Sequence, residues 1–431
     1  LIESAPDSAV RDLELALRSQ MSDDGLAKVR EMIDAEVWDR KVRNAVFLPL
    51  QPLLAPRADG FEQTTFPAAA LPQLWRALKV AAPTPLAIAL ASLTVNDDGD
   101  YYPPSYDECC REAAKGIAAR HKAFLPVIQT LEAFRPGAAA EFIGFLAVMP
   151  FARTAINRLP SWIRNMNSEH SAAVRLLFKD AVAISEDASP RLMEVMLAHL
   201  REPWMILRII SVVTHRANDR YVAGSEMASF CQRILDDIEK HLNQVRLFDF
   251  DDGPEAAVAT AKAVALAAAA AAEFEGCLEL DRDGPWGTIL GRHKSFLASQ
   301  TEGYLKKCGK LVSDALPTSP VRVGTSRGDP RLDQAPDPRL VRRAMAGLTF
   351  FDRSRKSATL GGYGSVRAKV CEDITHGLDT YMEDILAAIR DGDVPDEGIA
   401  RAYLDVVADF MGLTQDLKAA RIVRRRAAAA A

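Results

Sequence analysis

Seven residues in the C-terminal quarter have types and spacing suited to holding an anion: Arg353, Arg355, Lys356, Gly362, Gly364, Ser365 and Arg367. Glycine lets a bound group approach the backbone closely. The start of a helix at Ser365 would add free amides and the positive end of a helix dipole. Arg353, Arg355 and Lys356, on the preceding arm, are placed to converge on the same spot. Such an arrangement suits a phosphate, an acidic protein segment or a nucleic-acid backbone. G-x-x-x-x-G-K-[ST] is absent, so the stretch is not a nucleotide-binding Walker loop.

Charge sets this region apart. Between Val321 and Val370 eleven cations face four acids, a balance of +7 in a chain whose formal net charge is −5, which leaves −12 on the remainder. The competing expectation is a corner between helices whose arginines pair with acids of the same chain.

Other motifs are incomplete. Gly324-Thr-Ser326-Arg-Gly328 matches G-x-S-x-G, but a nucleophile elbow needs a strand entering and a helix leaving. This pentapeptide lies in a proline-rich stretch and is followed by Asp329-Pro330. Asp373 and His376, and likewise Asp237 and His241, have spacings that bring a carboxylate and an imidazole together on one helix face. A dinuclear centre needs a second pair of the Asp373–His376 kind, and none exists among the seven histidines. Asn218-Asp219 with Glu226 resembles part of the second metal motif of all-helical isoprenoid synthases. Val222 stands where that motif has Ser or Thr, and no Asp-Asp-x-x-Asp lies upstream; Asp97-Asp98-Gly-Asp100 and Asp236-Asp237-Ile-Glu239 come nearest.

The elements that must position these residues are helices. The chain has 431 residues, 48% hydrophobic and 26% charged, a balance typical of folded globular proteins and unlike that of disordered ones. A net charge of −5 argues against a general nucleic-acid binder. Six cysteines without C-x-x-C spacing read as thiols in a reducing compartment, and Cys109 and Cys110 would point to different sides of a helix. No stretch reads as a membrane span, the longest apolar one containing Lys262 and being mostly alanine. The chain begins at Leu1 and not at methionine, as a processed or trimmed polypeptide would.

Helical periodicity runs throughout, with no convincing alternation of period two, so the expected class is all-α: a multi-helical elongated bundle or solenoid-like body with a C-terminal helical module. Four regions are expected: an N-terminal helical region with a proline-rich crossing (1–104), a central helical body (105–316), a proline-rich linker or long loop (317–338) and a basic, amphipathic helical module (339–431). Ser105-Tyr-Asp-Glu108 predicts a capping box opening a helix that Pro126 kinks. Ser189-Pro190 predicts another helix start. Six consecutive alanines at 267–272 predict a central helix that its neighbours approach closely. The best-defined periodicity runs from Ser365 to Ile389, and a partner helix follows through Ala400, Tyr403, Val407 and Phe410.

With no complete catalytic constellation, the expected function is that of a non-enzymatic, cytoplasmic interaction or scaffold protein without a cofactor. Its basic C-terminal module would dock an acidic protein partner or a phosphate-bearing ligand. Contact with nucleic acid or an anionic membrane surface is a further expectation for the basic window and the Arg421–Arg426 tail. The alternative is an all-α, metal-dependent enzyme acting on a phosphorylated or isoprenoid diphosphate substrate, with Asp219, Glu226, Asp236 and Asp237 around one cavity.

Overall fold

Apolar residues at spacings of three and four become helices along nearly the whole chain. The computed structural model describes residues 5–18, 27–92, 102–214, 217–320, 328–415 and 417–429. No strand occurs among them, only two isolated bridges, Asn218 with Glu279 and Thr318 with Pro330. The protein is all-α. It divides into two compact units, 1–217 and 218–431. That division coincides with neither the 104/105 nor the 316/317 boundary expected from composition.

The first unit contains α1 (Asp7–Arg18), α2 (Ala27–Val46), α3 (Ala70–Ala81), α4 (Pro83–Ser92), α5 (Pro104–Ala118) and α6 (Leu125–Phe134). It continues with α7 (Ala138–Ala147), α8 (Met149–Arg164), α9 (Ser168–Val182), α10 (Ala188–Ala198) and α11 (Leu207–Val213). The proline-rich crossing after α2 opens as a 3-10 turn over Leu48–Leu54 that buries Leu50 and Leu53, and then runs irregularly to α3. Phe66 from this crossing packs edge-on to Phe142 and Phe145 of α7, fixing it to the core.

Proline overrides two expected starts. Pro103 precedes α5 and Pro104 opens it, so Ser105 lies inside the first turn and makes no capping bond; its hydroxyl is buried without a partner among the described residues. Pro190 likewise lies inside α10, which begins at Ala188. Pro126 does not kink one long helix. It opens α6, because its missing amide is tolerated in a first turn and would break an interior one.

Arg153 of α8 is 1% exposed, yet it is fully engaged. Its guanidinium donates to the Val46 carbonyl at the end of α2, to the Tyr106 carbonyl and to Cys110 Sγ, and Nε donates to Asp107 Oδ1 at 3.0 Å. Burying a cation is tolerable only with such partners, here drawn from the end of α2 and the start of α5.

The second unit comprises α12 (Asp219–Ala223), α13 (Ala228–Leu247), α14 (Pro254–Cys277), α15 (Gly287–Ala315), α16 (Pro338–Arg353), α17 (Gly364–Asp391), α18 (Glu397–Thr414) and α19 (Leu417–Ala429). The alanine helix α14 is central, packing against α13, α15 and α16, with Ala261, Ala267, Ala268 and Ala271 buried. At 24 residues it has the length and apolar composition of a membrane crossing, and its buried alanine face is accounted for by these helix contacts. Tyr304 of α15 anchors an aromatic cluster with Phe248, Phe250 and Phe350, and its hydroxyl donates to the Val245 carbonyl at 2.6 Å. The proline-rich stretch folds back on itself where it is described. Ser319 N–H donates to the Asp329 carbonyl at 2.8 Å and Arg331 N–H to that of Pro317 at 2.9 Å.

Candidate functional site

The glycine corner between α16 and α17 is built around a buried tyrosine. α16 ends in a 3-10 turn, Ser354–Ser357. The Tyr363 hydroxyl lies within this turn, sharing a 2.7 Å hydrogen bond with Ser357 Oγ and donating to the Ser354 carbonyl at 3.0 Å. Burial pushes the Tyr363 phenol upward in pKa, opposed by the Ser357 bond and the Arg367 charge. The glycines have separable reasons. At Gly361 a Cβ would stand 2.3 Å from the Tyr363 ring, and Gly362 has φ +76°. Gly364 has neither constraint, its nearest neighbour being an ordinary 3.7 Å contact with the Ala358 carbonyl.

The seven expected site residues have different surroundings. Arg367 turns back onto α16. Its Nε donates to the Phe351 carbonyl at 3.2 Å and its guanidinium lies 4.2 Å from the Phe351 ring centroid. It therefore caps a helix end. Burial, with the nearby Arg355 charge adding to it, lowers the Arg367 pKa, while Cys371, Asp352 and Tyr363 oppose the shift. Arg353 stands 3.8 Å from Asp352 in a loose, exposed pair. Arg355 and Lys356 are exposed on the 3-10 turn and form no ion pair among the described residues. Gly364 and Ser365 open α17, where no side chain caps the helix.

Ser365 instead lines a groove between α15 and α17, of about 450 Å³, with Lys306, Lys369 and Asp373 as its charged residues. Its polar wall thus includes Lys306, which no local pattern singles out: it lies in the middle of α15, 59 positions before Ser365. Elsewhere in the basic window, three arginines are spent internally, while Arg339 is exposed with no ion pair among the described residues. Arg343 pairs with Asp251 at 3.0 Å, Arg342 donates to the Asp252 carbonyl at 3.5 Å and Arg331 stands 3.4 Å from Asp333. In the tail, Arg424 pairs with Asp409 at 2.5 Å and Arg426 with Glu383.

The carboxylates of the alternative reading have different surroundings. Asp219 is fully buried against Gly284 with both oxygens unpartnered among the described residues, and Glu226 is exposed. Asp236 accepts from Gln232 at 2.8 Å, and Asp237 stands 3.5 Å from His241. Asp373 and His376 are both exposed on α17. No three His, Cys, Asp or Glu side chains among the described residues converge as a metal-binding group. Asp97, Asp98 and Asp100, and residues 324–327 of the G-x-S-x-G match, lie outside the described residues. All six cysteines are free, and burial pushes the thiols of Cys109, Cys231 and Cys308 up to about 12.

Compared with known proteins, the chain matches no family model, and no curated protein or solved structure is significantly similar to it.

Proposed function

We propose that this chain is a helical interaction protein whose second unit docks an acidic segment of a partner protein. The reading is carried by one contrast. Arg331, Arg342, Arg343 and Arg367 are all bound within the unit, whereas Arg355 and Lys356 stand exposed without an ion pair among the described residues, on a turn whose backbone and Ser357 hydroxyl are hydrogen-bonded to Tyr363. The bonded turn fixes the backbone from which both cations project, which lowers the cost of ordering them on an acidic side chain. The groove between α15 and α17 adds Lys369, while Lys306 beside it is paired with Glu302 at 3.3 Å.

The test is fluorescence anisotropy of a labelled Asp/Glu-rich peptide with the full chain at low and moderate salt. Reversal of Arg355 and Lys356 to Glu should weaken binding by about tenfold or more, equivalent to about 1.4 kcal/mol. Unchanged affinity would remove the proposal. A labelled oligonucleotide run in parallel separates nucleic-acid contact, and tighter binding of the oligonucleotide than of the peptide would also overturn the acidic-protein reading.

A further inference from the structure

The first unit contains an arginine clamp with no counterpart in the basic window. Arg40, Arg43 and Asn44 lie within five positions near the end of α2, where helical spacing places them on neighbouring faces. Both arginines are 6% exposed. They close on a single carboxylate, that of Asp7 at the start of α1. Arg40 Nη1 donates to Asp7 Oδ1 at 2.7 Å, Arg43 Nη2 to Oδ2 at 2.6 Å, and Asn44 Nδ2 to Oδ2 at 3.4 Å. Arg40 also donates through Nε to Glu36 at 2.7 Å, which fixes the guanidinium plane. Two guanidiniums and an amide on the two oxygens of one carboxylate form a receptor for an oxyanion.

This clamp borders a cavity of about 560 Å³, within the range of about 300–1,000 Å³ common for small-molecule sites. Three arginines line it, Arg40, Arg43 and Arg76, with Asp7 as the single acid, so its wall carries +2. The remaining polar lining is amide: Asn44, Gln51 and Gln73. Gln73 Oε1 is buried and finds no hydrogen-bond partner among the described residues. Such a wall repels cations and suits an anion that can also accept or donate at an amide. Asp7 itself remains 43% exposed on its side chain, unlike the arginines that hold it, while α1 also packs through the buried Val10 and Leu17.

We propose that this cavity binds a small oxyanion, a phosphate ester or a carboxylate, whose charged group takes the position of the Asp7 carboxylate between Arg40 and Arg43. Arg76 and Gln73 contact the body of the ligand. Asp7 is then an internal competitor, and ligand binding releases α1 from α2. Because the competitor holds the site in the free protein, the apparent affinity is reduced by the fraction of molecules in which Asp7 is bound. The inference is independent of the docking role assigned to the second unit.

Isothermal titration of the full chain with pyrophosphate and, separately, with citrate tests it and distinguishes the two ligand chemistries. Asp7→Asn keeps the shape and removes the competing charge, so it should tighten binding of the preferred probe by about tenfold. Arg76→Ala, at an exposed position, should weaken it by a similar factor without unfolding the chain. Limited proteolysis should cut within α1 faster when the probe is bound. If Asp7→Asn keeps the parent circular dichroism and neither probe gives a binding signal, the proposal is overturned. It is equally overturned if binding is indifferent to Asp7→Asn and Arg76→Ala but lost on reversing Arg355 and Lys356.

Discussion

Tyr363 and Ser357 share a 2.7 Å hydrogen bond beneath the corner that joins α16 to α17. The sequence predicts a glycine-bearing corner between helices. It is a tyrosine-locked one. Removal of the hydroxyl in Tyr363→Phe leaves the buried Ser357 Oγ and Ser354 carbonyl with their mutual 3.2 Å bond only. We expect a loss of about 0.5–1.5 kcal/mol in urea unfolding with an unchanged denaturant slope.

The three glycines of the corner should separate cleanly. Gly361→Ala drives a methyl into the Tyr363 ring, an overpacking that costs about 1–3 kcal/mol. Gly362→Ala forces a left-handed conformation on an L-residue and should cost about 1 kcal/mol or more. Gly364→Ala meets only an ordinary contact at a helix start and should be neutral or stabilising by up to about 1 kcal/mol. Denaturation midpoints of the three variants check the order.

Arg367 and Arg355 sit twelve positions apart in one basic window, yet should respond oppositely. Arg367→Ala removes the bond to the Phe351 carbonyl and the contact with its ring, a loss of about 1–2 kcal/mol of stability. Arg355→Ala should leave the melting temperature unchanged and lower affinity for the acidic peptide. A melting curve and the anisotropy titration, run on both variants, check the contrast.

Burial holds the His199 imidazole below its ordinary value of 6.5, with the Pro49 carbonyl opposing the shift. The unfolded chain therefore takes up a proton first as pH falls. The contribution of the neutral ring is full above the unfolded value and is lost as pH drops through the lowered folded one. Denaturant midpoints of the first unit should fall between about pH 7 and pH 5, and His199→Gln should flatten that decline.

Thiol reactivity should follow burial. Cys277 and Cys371 are partly exposed, whereas burial pushes Cys110 up to about 11 and Cys109, Cys231 and Cys308 up to about 12. A native titration with a chromogenic disulfide should show two thiols reacting early and the other four only after denaturant is added.

Much of the helical architecture is legible in periodicity, because burying one face is a local pattern. The run Val370, Ile374, Leu378, Ile385 and Ile389 lies buried along α17, as its spacing requires. Helix starts are less legible where two local signals compete. At Ser105 the Pro103-Pro104 pair wins over a capping box, since proline sets its own backbone angle before any side chain can bond. Charge partners distant in sequence are not legible, although a local pair such as Asp237 and His241 is. Arg343 meets Asp251 and Arg40 meets Asp7 across long stretches of chain, and nothing near either arginine encodes the choice. For the same reason +7 over one window says little about free charge, because distant acids consume part of it. Lys306 joins the groove through the packing of α15 on α17, which no single stretch specifies.

Arg153 ties together segments that are far apart in sequence, through Val46 at the end of α2 and Tyr106 and Asp107 at the start of α5. Detaching either segment would strand a positive charge in an apolar interior. The first unit should therefore lack stable half-folded forms in which α2 has peeled away while α5 and α8 stay docked. Native-state hydrogen exchange would find these three helices opening together, as one cooperative block with a shared free energy.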